Sequence, residues 1–310
     1  MSELPVLDWQ RWRETAIGLQ LRTQIFGKIR LALTPWLNHG WHVPLYVTPV
    51  GLTTSPIPWD GGSFEIALDL QSDLVFVSRS TGSQASLRLE AEPTADFYTK
   101  LMDVLDELGI EVSINTLPNE MPDPVRFPED HAARPYDGEA VRRFHEALCF
   151  ADAAFKRFRT GFVGKASPVH FFWGSFDLAV TRFSGRAAPR HPGGVPGLPD
   201  AVTREAYSHE VSSAGFWPGS DAFPRAAFYC YAYPAPEGFG EAPVRPDAAR
   251  FDAALGEFLL DYDAIRAAPD PEATLLDFLE STYAAAADLG EWDRAALECG
   301  LGVPREPRRV

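Results

Sequence analysis

Four side chains that can do chemistry fall within one short stretch of this chain, residues 167–186. His170, Ser175, Asp177 and Arg182 lie there among aromatic residues, at spacings typical of a β-strand. An imidazole can move a proton, a carboxylate can orient that imidazole, and a guanidinium fork can bind a carboxylate or phosphate. The stretch therefore predicts a site for binding, or acting on, an anionic small molecule.

The surrounding window, residues 156–190, is basic although the whole chain is acidic. It holds seven basic residues and one acidic residue, whereas the chain has a net charge of −15. Basic residues at the end of a predicted helix interact favourably with the helix dipole and need no further explanation. The other arginines, Arg182, Arg186 and Arg190, have no such explanation and carry the anion hypothesis. The alternative is a structural ion pair, such as Asp177 with Arg182 or Arg186.

The phase of the strand predicted from Val169 onward decides which of these side chains can meet. Strict alternation places Asp177 on one face and both His170 and Arg182 on the other. About 15 extended residues would span roughly 50 Å, which is longer than most strands, so we expect an interruption at residues 173–175. A one-residue bulge there would bring His170 to the face of Asp177, and the sequence leaves this open.

Two further segments supply candidate residues. Residues 204–210 include His209 beside Glu210, and an imidazole there can transfer protons. Tyrosines alternate along the strand predicted at residues 226–233, where they either line a pocket or form a half-exposed sheet face. The candidate catalytic residues are therefore His170, Asp177 and His209, and the candidate ligand-binding residues are Trp173, Ser175, Arg182, Arg186, Tyr207 and Tyr231.

Composition excludes several classes of function. A pI near 4.9 argues against nucleic acid and anionic lipid as partners. No apolar run reaches the roughly 18 residues of a membrane span. The three cysteines are far apart and lack metal-ligand spacing, which indicates reduced thiols and a cytoplasmic location. The phosphate-binding glycine motifs and the nucleophile-elbow motif are absent, so no cofactor is predicted.

The order of the predicted elements indicates an α+β fold with antiparallel β-sheets flanked by helices. Residues 1–116 and 138–310 each read as a helix, about four strands and a helix. They are joined by residues 117–137, which are rich in proline and acidic residues and form either a linker or an ordered connection on the surface. The shared order is explained by an ancient duplication or by coincidence, and the sequence leaves both open.

Individual elements follow from periodicity and capping. Helices are expected to begin after Asp8, Thr94, Asp137 and Asp270, because these residue types favour helix N-termini. Residues 64–70 alternate as a strand whose buried side chains are Phe64, Ile66, Leu68 and Leu70. Residues 41–48 are expected to form an edge strand, since Pro44 cannot donate a hydrogen bond, and residues 110–114 a further strand.

Three strings of the chain resemble a known family. They are residues 41–58, residues 167–186 and residues 205–210. On these strings the chain is similar, over nearly its full length, to an uncharacterised bacterial family, the domain of unknown function numbered 5996. The resemblance implies a bacterial cytoplasmic protein, and it brings no activity, cofactor or catalytic residue to these positions.

The sequence supports three hypotheses of function. The first is a binder of, or an enzyme acting on, a small carboxylate or phosphate. The second is a non-catalytic module whose tyrosine and tryptophan surfaces contact a protein partner or a second copy of the chain. The third is a metal site formed by His170, His209 and either Asp177 or Glu210.

Overall fold

Helices and antiparallel strands alternate in blocks along residues 3–308, the part of the chain that this computed structural model describes. The α+β fold predicted from the sequence is confirmed. Within the described residues the helices are α1 Trp9–Leu33, α2 Thr94–Glu107, α3 Gly138–Thr160, α4 Asp200–Ala206, α5 Tyr262–Arg266, α6 Pro271–Leu289 and α7 Arg294–Leu297.

The first sheet has the strand order β1-β2-β4-β5-β6, with β3 paired to β4, and every pairing is antiparallel. The alternation predicted for residues 64–70 is confirmed, since Phe64, Ile66, Leu68 and Leu70 are all buried. The strands are β1 Tyr46–Thr48, β2 Gly51–Thr53, β3 Ile57–Trp59, β4 Gly62–Asp69, β5 Leu74–Arg79 and β6 Gln84–Arg88.

The second sheet has the order β11-β12-β10-β9-β8-β7 and is also antiparallel throughout. Helices α3 and α6 contact it on one face. Its strands are β7 His170–Phe172, β8 Asp177–Ala187, β9 His209–Trp217, β10 Ala227–Tyr233, β11 Arg250–Asp252 and β12 Glu257–Asp261.

One residue pair joins the two sheets. Leu45, which directly precedes β1, exchanges two main-chain hydrogen bonds with Phe171 of β7, at 2.8 and 2.7 Å. The edge strand predicted over residues 41–48 is confirmed only for residues 46–48: β1 is the terminal strand of the first sheet, and residues 41–44 form no strand. The strand predicted at residues 110–114 is wrong, because this segment forms no strand.

Three of the predicted helix N-caps are confirmed in atomic detail. The side chains of Asp8, Asp137 and Asp270 each accept a hydrogen bond from a main-chain N–H in the first turn of the helix that follows. The remaining predicted N-cap, Thr94, is the first residue of helix α2, and Pro93 occupies the N-cap position. Capping residues thus located helix starts to within one residue.

Helix α1 is the central helix of the molecule. Residues 21–30 are all buried, including the charged residues Arg22, Lys28 and Arg30. A helix with one solvent-facing side cannot show this pattern, so α1 is enclosed around its second half. Within the described residues, no helix has both the length and the apolar composition of a membrane span.

The connection over residues 117–137 is ordered and packed onto α1. The ring of Phe127 is fully buried. Asn119 is tied to Gln24 of α1 by two hydrogen bonds, one from the Gln24 amide at 2.9 Å and one from the Asn119 main-chain N–H at 2.7 Å. Residues 119 and 127 of this segment are therefore in contact with the rest of the described chain.

Candidate functional site

The predicted long strand is in fact a hairpin. β7 ends at Phe172 and β8 begins at Asp177, and the four residues between them form the turn, in which Phe176 adopts a positive φ of 59°. His170 pairs with Ala179 and Phe172 pairs with Asp177. Because paired residues of antiparallel strands point to the same face, His170 does share the face of Asp177. The turn between β7 and β8, and not a bulge within one strand, brings these two side chains to the same face.

Arg182 lies on the opposite face of the second sheet. It pairs with Ser212, and Ser212 pairs with Ala232. The neighbouring row consists of Thr181, Ser213 and Tyr231, which therefore point the other way. Arg182 and Tyr231, both predicted to bind one ligand, cannot contact the same molecule from opposite sides of a sheet.

The guanidinium of Arg182 is paired with a carboxylate inside the protein. Its side chain is 1% exposed and pairs with the Glu280 carboxylate at 3.1 and 3.2 Å. It also donates to the main-chain oxygen of Phe158 and stacks 3.5 Å from the centre of the Phe158 ring. These contacts neutralise its charge and use both Nη1 and Nη2, while no partner for Nε is found among residues 3–308. Because the side chain is buried and paired with Glu280, its charge does not face solvent, where an external anion would approach.

Arg186 is likewise paired within the chain. Its Nη2 lies 2.7 Å from a carboxylate oxygen of Glu210, and its other donors reach main-chain oxygens of Gly290 and Glu291. The expected anion clamp of Arg182 and Arg186 is therefore not formed: the two side chains lie at different positions, each neutralised by its own carboxylate. The third arginine, Arg190, is exposed in the loop after β8.

His170 is a core residue. It is 1% exposed, and burial, followed by the nearby charges of Arg30 and Arg159, lowers its pKa to about 3. No hydrogen-bond partner for its Nδ1 is found among residues 3–308. A neutral imidazole without access to solvent has no route for exchanging protons with a substrate, so the catalytic role predicted for His170 has no support in the geometry.

Asp177 is the predicted residue that lies among several other polar and ionisable side chains. Its carboxylate is buried and accepts hydrogen bonds from the hydroxyl groups of Ser175 and Tyr229. Burial raises its pKa, while these two hydrogen bonds act in the opposite direction. The sequence located Asp177 and Ser175, but Tyr229 lies 52 residues away along the chain.

A wall of aromatic rings extends from Asp177 across the sheet. Tyr229 stacks on Tyr231 with ring centres 6.2 Å apart, and the hydroxyl groups of Tyr231 and Tyr207 are 2.9 Å apart. Tyr207 also lies 5.1 Å from Tyr233, ring centre to ring centre. Burial is the main cause that raises the pKa of Tyr207, Tyr229 and Tyr231. These phenols therefore stay protonated and act as neutral hydrogen-bonding groups.

Two further carboxylates complete this group, and sequence reasoning missed both. Glu257 of β12 is mostly buried, and burial followed by repulsion from Asp177 raises its pKa to about 8. Glu120 keeps contact with solvent, but the surrounding protein removes enough water, with Asp177 again adding repulsion, to raise its pKa to about 7. We call this group the tyrosine–carboxylate site and define it as Glu120, Asp177, Tyr207, Tyr229, Tyr231 and Glu257.

Two glutamines of α1, one helical turn apart, position one side of this site. Gln20 donates to the main-chain oxygen of Gly174 at 2.7 Å, and Gln24 donates to the main-chain oxygen of Asn119 at 2.9 Å. Glu120 follows Asn119 and lies against the hairpin turn. A Cβ atom on Gly174 would lie 2.2 Å from a carboxylate oxygen of Glu120, so any other residue there would displace this carboxylate.

The remaining predicted residues lie elsewhere. The indole of Trp173 donates to the main-chain oxygen of Val43 at 3.0 Å and packs against Gly27, which is a structural role. His209 lies beside His39, with ring centres 5.7 Å apart, near the end of the sheet where β9 begins. Among residues 3–308, no three His, Cys, Asp or Glu side chains are placed to hold a metal ion, so the proposed metal set does not assemble.

Comparison with known proteins adds the family and nothing finer. No curated protein and no solved structure matches the chain. A family model described as a family of unknown function, DUF5996, matches residues 4–299. The match covers nearly the whole chain, including every residue of the tyrosine–carboxylate site, and it confirms the resemblance noted in the sequence. The chain belongs to the DUF5996 family of unknown function.

Proposed function

We propose that the chain binds a small organic cation, an amine or a quaternary ammonium compound, in the tyrosine–carboxylate site. The observation that carries this proposal is the imbalance of charge there. Glu120, Asp177 and Glu257 form no ion pair with a lysine, arginine or histidine anywhere in residues 3–308. A positively charged ligand would supply the missing counter-charge.

The aromatic wall favours the same class of ligand. A cation is attracted to the face of a tyrosine ring by roughly 0.5–2 kcal/mol, depending on how far water is excluded. Carboxylates beside such rings would repel a carboxylate or phosphate ligand. The carboxylates are also not placed to share one metal ion, which favours an organic cation over a metal.

The protonation states make a specific prediction about pH. Burial raises the pKa of Glu257 to about 8 and that of Glu120 to about 7, so without a ligand both hold protons for part of the time at neutral pH. A cation binds the ionised carboxylates better, so its binding releases protons. Affinity should therefore rise as pH increases through about 6 to 9 and fall in acid.

The test uses choline and its neutral analogue, the alcohol in which a tert-butyl group replaces the trimethylammonium group. Choline keeps its charge at every pH, so any pH dependence belongs to the protein. Calorimetric titration should show choline binding at least about ten-fold more tightly than the alcohol, corresponding to roughly 1.4 kcal/mol. Equal binding of the two, or binding of neither, would refute the proposal.

Two matched variants test whether choline binds at the tyrosine–carboxylate site. Glu257→Gln removes one carboxylate with little change of shape and should weaken choline binding and flatten its pH dependence. Glu107→Gln makes the same chemical change at the exposed end of α2 and should leave binding unchanged. An equal loss in both variants would show that overall charge, rather than this site, attracts the cation.

Anion binding remains a second candidate, favoured by a different pocket. An open surface pocket of about 610 Å³ is lined by Lys156, Arg159 and Arg308, together with Glu306 and apolar groups of Phe162. Lys156 and Arg159 belong to the basic window seen in the sequence, and here they face a hollow that a phosphate or carboxylate could enter.

The anion candidate has its own test. Pyrophosphate should raise the melting temperature of the wild type, and Arg159→Ala should remove most of that increase. Arg11→Ala removes another exposed arginine, which does not line the pocket, and should retain the increase in melting temperature. If the increase survives in Arg159→Ala, the anion binds elsewhere and this candidate fails.

A further inference from the structure

Lys165 and His39 form a close contact between two basic side chains. The Nζ of Lys165 lies 2.5 Å from the Nε2 of His39. His39 is buried in the short turn at Asn38–Gly40, whereas Lys165, in the segment before β7, keeps contact with solvent. The tyrosine–carboxylate site does not depend on this contact between two basic side chains.

The hydrogen bonds of His39 settle which nitrogen carries the proton. Its Nδ1 lies 3.1 Å from the main-chain oxygen of Ala206. A carbonyl oxygen only accepts, so Nδ1 carries the hydrogen and donates it. Nε2 therefore presents a lone pair to the amine of Lys165. The imidazole is positioned to accept a proton from that amine.

The surroundings weaken the charge on the amine. Burial lowers the pKa of Lys165, and the negative charge of Glu205 partly opposes this. Burial also lowers the pKa of His39, with the charges of Lys165 and His209 adding to the effect. The rings of Trp41 and Phe183, 5.4 and 4.8 Å from the amine, favour the charged form but offer no proton acceptor. No carboxylate in residues 3–308 forms an ion pair with Lys165.

The backbone at His39 is strained in a way that preserves this contact. Its φ is 61°, in the left-handed region that residues with a Cβ seldom adopt. Helix α4 stabilises the conformation, because Glu205 accepts from the His39 main-chain N–H at 2.8 Å and Ala206 accepts from the ring. Strain of this kind tends to collect at functional sites, where the surrounding structure maintains it.

We propose that Lys165 is a nucleophilic amine that forms a Schiff base with a small apolar aldehyde or ketone, with His39 as its proton acceptor. The proton of the ammonium passes to Nε2 of His39, and the amine nitrogen attacks the carbonyl carbon. One proton of the attacking nitrogen moves to the carbonyl oxygen, which becomes a hydroxyl group. This hydroxyl takes the proton held by His39 and leaves as water, so the products are one protonated imine, one water molecule and the neutral imidazole of His39.

The chain is well suited to a direct test, because its lysines are only Lys28, Lys100, Lys156 and Lys165. Lys100 and Lys156 are solvent-accessible and paired with carboxylates, so they are controls within the same molecule. The intact protein is treated with benzaldehyde and sodium cyanoborohydride near pH 7, and the benzyl groups are located by peptide mass spectrometry. Lys165 should be labelled about ten-fold faster for each unit by which its pKa lies below that of the controls.

A variant and a pH series separate this proposal from simple exposure. His39→Asn keeps a residue type that tolerates positive φ but removes the ring, so labelling of Lys165 should fall to the rate of Lys156. If that variant does not fold, the pH series of the wild type decides: Lys165 should reach its maximal rate at lower pH than Lys100. Labelling of Lys165 no faster than Lys100 at any pH would overturn the proposal, and it would leave the cation site untouched.

Discussion

At the scale of single residues, buried ionisable side chains dominate the chemistry of this molecule. His170 illustrates how residue type alone misleads. In the folded chain its pKa is about 3, whereas an unfolded histidine titrates near 6.5. Between these values the unfolded chain binds more protons than the folded chain, so the folded state loses stability as pH falls.

We predict that this histidine contributes measurably to acid sensitivity. From pH 7 to pH 5 the loss due to His170 should be about 2 kcal/mol. His170→Gln should lose that much less than the wild type in urea unfolding at the two pH values. His131→Gln, at an exposed histidine, should behave as the wild type does. Equal acid sensitivity of wild type and His170→Gln would contradict the burial of a neutral imidazole.

Arg182 yields a second prediction, based on an ordering of two variants. Glu280→Ala leaves a buried guanidinium without its carboxylate and should cost about 2–4 kcal/mol. Arg182→Met removes the charge and retains most of the volume, while the freed Glu280 is 40% exposed and can be hydrated, so the cost should be about 1 kcal/mol. Urea unfolding measures both, and the reverse order would show that the guanidinium itself is indispensable.

At the scale of elements, α1 determines the position of the hairpin turn that precedes Asp177. A Cβ atom on Gly27 would lie 2.0 Å from the indole nitrogen of Trp173. Gly27→Ala must therefore displace the indole, and we expect a loss of about 1–3 kcal/mol. Gly18→Ala, on the same helix, meets its nearest atom at an ordinary 3.5 Å and should gain about 0.5–1 kcal/mol. Thermal unfolding of both variants checks the opposite signs.

The sequence predicted elements whose signals are local. The alternation of residues 64–70 identified β4, and aspartates marked the starts of three helices. It predicted an interruption at residues 173–175 but could not distinguish a bulge from the turn between β7 and β8, since that depends on which strands pair. It equally gave no indication that the second half of α1 is buried on all sides, because polar residues such as Gln24 and Lys28 are usually exposed.

The candidate site was predictable in part for the same reason. Asp177, Ser175, Tyr207 and Tyr231 were all chosen from the sequence, since unusual polar and aromatic residues stood within predicted strands. Their companions Glu120 and Glu257 lie in segments with no such pattern. The carboxylate that neutralises Arg182 is 98 residues away along the chain, a distance over which sequence spacing carries no information.

At the scale of the whole molecule, the two sheets share one hydrophobic core. Buried side chains from both halves form a single cluster, and α3 contacts both β1 and β8. We therefore expect one cooperative unfolding transition, with circular dichroism and tryptophan fluorescence giving the same midpoint. Two separate midpoints would instead show that residues 1–116 and 138–310 unfold as independent units.

The pairing of Leu45 with Phe171 allows the opening of the junction between the two sheets to be measured by amide hydrogen exchange. Their two amide hydrogens are bonded only across the junction between the sheets. In deuterated water, both amides can exchange only when that junction opens, whatever happens inside either sheet. Their exchange rates, compared with those of amides in the middle of β4 and β9, would measure how often the two halves separate without unfolding.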